Sequence, residues 1–215
     1  MKFARCLSAE IILLLLLSTQ AATSYADAPA GGAIAKNGTG TATACMQCHG
    51  ANGEGQAAAG FPRLAGQGKN YLAKQLSDFK AKTRLNPVMQ PIANALSAAQ
   101  INDVADYYAG LPAWKAVANP SAETAQTANG EQLAHAGNWN KGMPACFACH
   151  GEKGAGIAPH FPALAGLGAA YTATQLKNWQ SGSRSNDPQG LMKAVADKLS
   201  ADEINAISAY LENPK

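Results

Sequence analysis

Residues 45–49 read Cys-Met-Gln-Cys-His, and residues 146–150 read Cys-Phe-Ala-Cys-His. The similarity extends outward, because a Phe-Pro-x-Leu-Ala-Gly segment and a Tyr-x-x-x-Gln-Leu segment follow each motif in the same order. Further matched pairs are Arg84 with Arg184, Met89 with Met192, Leu96 with Leu199, Ser97 with Ser200 and Ile101 with Ile204. Such a repeat defines the architecture, so the sequence predicts two tandem copies of one fold.

The chain begins with a segment typical of an export signal. Lys2 and Arg5 precede the apolar run Ile11–Leu17, and small residues surround Ala26. The run is far shorter than the roughly 20 residues that span a bilayer. A stretch rich in Pro, Ser, Ala and Thr separates the two copies. We therefore predict a signal peptide at 1–26, a first domain at 27–112, a linker at 113–125 and a second domain at 126–215.

The repeat is predicted to be helical. Apolar residues recur at helical spacing at 71–79 and again at 171–179, and no strand pattern competes. Each copy opens with a short segment, 31–35 or 130–134, in which glycine would allow a close helix crossing. A final helix begins in each copy at a capping box. The boxes are Ser97 with Gln100 and Ser200 with Glu203.

The Cys-x-x-Cys-His motif is the pattern that attaches haem covalently. Thiols three residues apart on a helical turn lie on one side, so both can form thioethers with the haem vinyl groups, and the adjacent imidazole then lies beneath the iron. A disulfide or thioredoxin-like couple is disfavoured by the histidine and the lack of strands, and zinc would need a fourth ligand. We predict two haem c groups, held by Cys45 and Cys48 and by Cys146 and Cys149.

The motif histidines, His49 and His150, are predicted to bind the two irons from one side. For the other side we predict Met89 and Met192, which lie about forty residues further along at matched positions. Each follows a segment containing Asn and Pro, and the residue before proline favours an extended loop.

Four other residues are disfavoured as iron ligands. Met46 and Met143 lie too close to their motifs to reach the far face of the haem. His135 and His160 have no counterpart in the first copy, so we expect both to be surface residues.

Iron bound by histidine and methionine has no vacant coordination position, and the thioether favours the ferrous state. Such an iron passes electrons but does not readily bind oxygen, peroxide or another substrate. We therefore expect an electron carrier rather than an enzyme. The formal net charge of +3 at pH 7 gives no indication of nucleic-acid binding.

Over almost its whole length after the signal peptide, the chain resembles cytochrome c4, the dihaem family of class I cytochromes c. The resemblance lies in both motifs, the Phe-Pro-x-Leu-Ala-Gly segments, the sequence Tyr-Leu-Ala-Lys-Gln-Leu-x-Asp-Phe-Lys from Tyr71, and Pro-Val-Met at 87–89. It implies an all-α fold of two class I cytochrome c domains related by pseudo-twofold symmetry, each around one haem. It also makes Arg84 and Arg184 candidates for holding haem propionates, with solvated loop charges as the alternative.

The resemblance further implies a periplasmic carrier between a quinol-oxidising membrane complex and a terminal oxidase. We expect a monomer, and peripheral attachment to the membrane stays open. One alternative is a cytochrome subunit that accepts electrons from a periplasmic, flavin-containing dehydrogenase. A haem enzyme, such as a dihaem peroxidase or a thiosulfate dehydrogenase, is disfavoured by the closed iron and the lack of a spare mature cysteine.

Basic residues of the first copy suggest either a docking face for a redox partner or a solvated helix face. They are Arg63, Lys69, Lys74, Lys80, Lys82 and Arg84.

Overall fold

The computed structural model of the protein describes residues 28–115 and 124–215. The predicted signal peptide, and most of the predicted linker, lie outside the described residues. Within those two ranges the secondary structure is helical, and the strand-type pairs are isolated bridges. The predicted all-α class is therefore confirmed. Across the same ranges, no helix combines the length and apolarity that crossing a membrane requires.

Both copies place their α-helices in the same order. In the first copy they are α1 (Ala28–Asn37), α2 (Met46–His49), α3 (Lys69–Ala81), α4 (Met89–Ala95) and α5 (Ala98–Gly110). In the second copy they are α6 (Ala125–His135), α7 (Cys146–His150), α8 (Ala169–Ser181), α9 (Leu191–Ala196) and α10 (Ala201–Glu212). Helix α6 begins at the last residue of the predicted linker, and the domain boundaries stay predictions.

The first and last helices of each copy cross closely at a glycine, as the sequence predicts. A Cβ atom on Gly31 of α1 would lie 2.1 Å from the carbonyl oxygen of Asp103 in α5. A Cβ atom on Gly130 of α6 would lie 2.2 Å from the carbonyl oxygen of Ala206 in α10. Since interiors are close-packed, any larger side chain would push these helices apart.

Both predicted capping boxes are present. The Ser97 hydroxyl accepts from the Gln100 N–H at 3.2 Å, and the Gln100 side chain accepts from the Ser97 N–H at 2.8 Å. Ser200 and Glu203 form the same pair of bonds at 3.2 and 2.7 Å. These bonds satisfy N–H groups that the first helical turn leaves without partners, and they fix where α5 and α10 begin.

Residues 113–114 pack against both copies. A Cβ atom on Gly66 would lie 2.4 Å from Cα of Ala113, and one on Gly166 would lie 2.1 Å from the ring of Trp114. The two glycines occupy matched positions in the Leu-Ala-Gly turns, with φ of +68° and +72°. The chain leaving the first copy therefore crosses the same turn of each copy.

Candidate haem-binding sites

Each motif histidine is buried and oriented by one hydrogen bond. Nδ1 of His49 lies 2.8 Å from the carbonyl oxygen of Pro62, and Nδ1 of His150 lies 2.8 Å from that of Pro162. A carbonyl can only accept, so Nδ1 carries the proton and Nε2 is unprotonated, the form that binds a metal. Burial lowers the pKa of both histidines, although the carbonyls oppose it, and this favours the neutral ring.

The sequence did not predict these two proline carbonyls as partners of the histidines. They lie 13 and 12 residues after the histidines they orient. In the same segments, the rings of Phe61 and Phe161 pack edge-on against the imidazoles, with centroids 6.2 and 5.9 Å apart. The sequence does contain a signal for this contact, because the Phe-Pro-x-Leu-Ala-Gly segment recurs in both copies. Helical periodicity, however, does not explain why the segment recurs.

The four motif cysteines form no disulfide with one another. Helices α2 and α7 carry the motifs, and Cys45 and Cys146 each pack against the core of their own copy. Burial raises the pKa of Cys45, and it raises the pKa of Cys146 to about 11. Two thiols and one imidazole fall short of the four ligands of a structural zinc site, whereas two thiols on one helical turn followed by an imidazole suit thioether attachment of haem.

Met89 is half-buried and is the first residue of α4. The loop before it is held by Asn86, whose Oδ1 accepts from the N–H groups of Val88 at 2.9 Å and Met89 at 2.8 Å. An asparagine turn of this kind holds the backbone that leads into the helix. The backbone position of Met89 is therefore well defined.

Met192 is also half-buried and lies in the first turn of α9. Oδ2 of Asp187 accepts from the N–H of Lys193 at 3.0 Å. Met192 packs against the same buried cluster as Cys146. In the second copy, the predicted iron ligand Met192 and the haem-attachment motif therefore contact the same hydrophobic core.

The residues disfavoured as ligands have other surroundings. Met143 is 1% exposed and belongs to the core of the second copy. His135 and His160 are exposed, as predicted. The Nε2 atom of His135 lies 3.1 Å from the hydroxyl of Tyr210, and its ring packs edge-on against Phe147 at 4.9 Å.

Arg84 and Arg184 meet between the two copies. They are 6% and 4% exposed, which rules out the alternative of solvated loop charges. Their backbones form an isolated antiparallel bridge. Two hydrogen bonds of 3.0 Å flank it, from Leu85 N to Ser183 O and from Ser185 N to Thr83 O.

The two arginines share a set of neutral acceptors. Arg84 donates to Oε1 of Gln75 at 2.9 Å and of Gln175 at 2.8 Å. Arg184 donates to the same two oxygens at 3.0 Å each. Burial raises the pKa of Tyr71, but the neighbouring arginines outweigh it and leave that pKa lowered. Two buried cations with neutral partners fit the pair of acidic groups that a haem would bring.

Two of the six basic residues, Arg63 and Arg84, are buried, so both interpretations of that set, a docking face and a solvated helix face, are wrong for them. Arg63 is 5% exposed, and burial lowers its pKa to about 10. Its guanidinium donates to the carbonyl oxygens of Ala65 and, at 2.9 Å, of Ala165. Gln67 beside it donates to the carbonyl of Ala163 at 2.8 Å. These side chains join the two copies instead of facing a partner.

Known proteins resemble the chain over most of its length. The family model for cytochrome c matches residues 35–112 and 127–215. The thiosulfate dehydrogenase electron acceptor of Stutzerimonas stutzeri (strain A1501) is 44% identical over 94% of this chain and 90% of that protein. The structure of reduced recombinant cytochrome c4 from Pseudomonas stutzeri matches with a TM-score of 0.76 and 37% identity, covering 87% of this chain and 98% of that one.

A longer protein also contains a similar structure. The thiosulfate dehydrogenase from Marichromatium purpuratum matches with a TM-score of 0.79 and 40% identity over 86% of this chain. The match spans 40% of the length of that protein.

The family model covers both copies, and the cytochrome c4 match spans nearly that whole protein. The chain therefore carries two covalently bound haem c groups and acts as an electron carrier, as the sequence predicts. It belongs to the cytochrome c family, as a two-domain relative of cytochrome c4.

Proposed function

We propose that each copy holds its haem through its own motif and one distant methionine. When bound, each haem supplies an iron that takes up or releases one electron. The proposed thioether residues are Cys45 and Cys48 for the first haem and Cys146 and Cys149 for the second. The proposed iron ligands are His49 with Met89 and His150 with Met192. The unprotonated Nε2 atoms and the half-buried methionines support this set.

The side chains around each haem would hold it still and exclude water. In the first copy, the proline carbonyl would keep His49 from rotating away from the iron, and Met89, on the turn held by Asn86, would close the other face. Closed irons favour electron transfer over substrate chemistry, so in this proposal the protein has no catalytic residue of its own. Its location would be the periplasm, and its working form a monomer.

We infer that the electron donor is a periplasmic dehydrogenase that oxidises thiosulfate. The observation that carries this inference is the 44% identity, over nearly the full length, to a thiosulfate dehydrogenase electron acceptor. A thiosulfate dehydrogenase that contains a similar structure within its own chain supports it. Coupling two thiosulfate ions to tetrathionate releases two electrons, and two one-electron centres can take both.

The test mixes oxidised holoprotein with a purified thiosulfate dehydrogenase catalytic subunit and thiosulfate, and follows haem absorbance. We expect full reduction of both haems by catalytic amounts of enzyme, and no reduction when enzyme or thiosulfate is left out. If the complete mixture reduces the haems no faster than thiosulfate alone, this donor is wrong.

A second candidate role is transfer between a quinol-oxidising membrane complex and a terminal oxidase. The match to cytochrome c4 over 98% of that chain favours it. Reduction by membranes supplied with quinol, but not by the dehydrogenase with thiosulfate, would select this role.

A further inference from the structure

One buried side chain of the second copy has a hydrogen-bond donor that the protein leaves unused. Trp179 of α8 is 8% exposed and belongs to the cluster that Met192 packs against. Its indole N–H has no hydrogen-bond partner among the described residues. Burying such a donor without a partner destabilises the fold, and the indole N–H cannot rotate to a new direction as a hydroxyl can. An acceptor is therefore expected there.

A buried cation lies against the same ring. The guanidinium carbon of Arg184 is 3.9 Å from the centroid of the Trp179 ring. The hydrogen bonds of Arg184 go to neutral side-chain oxygens, on Gln75, Gln175 and Asn186 at 3.0 Å and on Tyr71 at 3.4 Å. A buried guanidinium beside an unused N–H donor is the combination that binds a carboxylate.

The first copy lacks this donor. Phe79 occupies the position that matches Trp179, and Arg84 lies 4.6 Å from its ring centroid. The arrangement of arginine over an aromatic ring is thus kept in both copies, whereas the N–H group is present in the second copy alone. The two copies therefore differ in hydrogen-bonding capacity at this matched position.

We propose that the indole N–H of Trp179 donates to a propionate of the second haem and raises the reduction potential of that haem. The proposal rests on the haem placement given above. A hydrogen bond draws negative charge away from the carboxylate, and less negative charge near the iron disfavours the ferric state. Hydrogen bonding and burial are established means of tuning haem potentials. Phe79 can give the first haem no such contact.

The first test is a spectroelectrochemical titration of the Trp179→Phe holoprotein. Phenylalanine keeps the aromatic face beneath arginine, as Phe79 does beneath Arg84. We expect the equilibrium constant for reduction of the second haem to fall about threefold, roughly 30 mV at 59 mV per tenfold. The component that changes in Met192→Ala identifies the second haem.

The control is Trp139→Phe, since Trp139 is 73% exposed and should move neither potential. A folded Trp179→Phe protein with two intact haems and unchanged potentials overturns the proposal. So does a shift confined to the first haem. Loss of a haem, or of methionine ligation, would appear in the absorption spectrum and would count against the haem placement itself.

A second measurement does not depend on how the variant folds. The chain has three tryptophans, and ultraviolet resonance Raman spectra report whether an indole N–H is hydrogen-bonded. We expect the wild-type holoprotein to contain no component from a non-bonded indole. Detection of such a component would overturn the proposal, because Trp139 is exposed, Trp114 is half-buried, and among the described residues the buried indole N–H without a protein partner is that of Trp179.

Discussion

Met89 and Met192 lie at matched positions, and we propose that each binds one iron through its sulfur. We expect Met89→Ala and Met192→Ala each to convert one of the two irons from low-spin to high-spin, because alanine has no donor atom. The measurement is the sulfur-to-iron charge-transfer absorption, with electron paramagnetic resonance for the spin state. Each variant should lose about half of the charge-transfer intensity.

His160→Ala and Met143→Ala serve as controls for this prediction. His160 is exposed, so its loss should leave stability and both irons unchanged. Met143 is fully buried, so its loss should cost about 2–5 kcal/mol in unfolding free energy while both irons stay low-spin. Full charge-transfer intensity in Met89→Ala or Met192→Ala would contradict the assignment.

At the scale of single residues, the sequence predicts which side chains carry the chemistry but not what orients them. The motif identifies His49 and His150 because their spacing from the cysteines is fixed locally. Their acceptors are the backbone carbonyls of Pro62 and Pro162, and a backbone oxygen has no residue type by which sequence reasoning can recognise it.

At the scale of helices, the crossings of α1 with α5 and of α6 with α10 leave no room for a side chain on the glycine. Adding one methyl group there should therefore lower stability strongly. Gly31→Ala and Gly130→Ala would each place a Cβ atom within 2.2 Å of a backbone oxygen on the facing helix. Backbone cannot move aside as a side chain can, so we expect each variant to lose about 1–3 kcal/mol of unfolding free energy or more. Denaturant titration of the holoproteins by circular dichroism measures the loss.

Gly110→Ala is the matched control. Gly110 ends α5, and a Cβ atom there would meet nothing within 4 Å. Alanine should therefore leave stability unchanged or raise it by about 0.4–1 kcal/mol through the unfolded state. Equal stability of Gly31→Ala and Gly110→Ala would show that the crossing is not tightly packed.

The cap of α10 predicts a pH effect. The side chain of Lys141 at 2.6 Å, with the backbone N–H of Ser200, lowers the pKa of Glu203 below its ordinary value of 4.5. A lowered carboxyl pKa stabilises the fold above the unfolded-state value, and the gain is lost as pH falls through the folded-state value. We expect Glu203→Gln to lose roughly 0.5 kcal/mol at pH 7 and nothing at pH values where Glu203 is protonated.

The control for this pH effect exists in the first copy, where Gln100 occupies the same position in the cap of α5. The Gln100 side chain contacts the hydroxyl of Thr39 at 3.3 Å where Glu203 contacts Lys141, so Gln100→Glu should add less pH dependence to the stability than Glu203 does. If the difference in unfolding free energy between wild type and Glu203→Gln stays the same from neutral to acid pH, the carboxylate does not have the expected role.

Local patterns account for the helices and their starts but not for their contacts across the molecule. Capping boxes and helical spacing act within a few residues, so α5 and α10 were predictable. The pairing of Arg84 with Arg184 joins segments about one hundred residues apart, and the sequence alone could not decide whether each arginine holds a propionate or is a solvated loop charge. These arginines, and Arg63 with them, are buried only because the two copies pack together, and local sequence patterns do not report that packing.

At the scale of the whole molecule, the interface is symmetric in part and asymmetric in part. The arginine pair and its glutamines repeat in both copies, and each arginine bonds to both glutamines. Arg63 and Gln67 have no such counterparts, because the matched positions hold Ala163 and Leu167. The first copy therefore supplies the side chains at this second contact and the second copy supplies backbone.

The contact made by Arg63 and Gln67 should hold the two copies together, and the test replaces both residues with those at the matched positions of the second copy. The double variant Arg63→Ala/Gln67→Leu removes hydrogen bonds to Ala163 and Ala165, each worth roughly 1–3 kcal/mol when a buried partner is left unpaired. Each copy keeps its own core, so both haems should remain attached with unchanged spectra. We expect a larger radius of gyration in X-ray scattering, and thermal unfolding that separates into two transitions. The exposed Lys82→Ala should change neither quantity. A double variant with wild-type scattering and a single transition would mean that the remaining contacts, the arginine pair among them, are enough to join the domains.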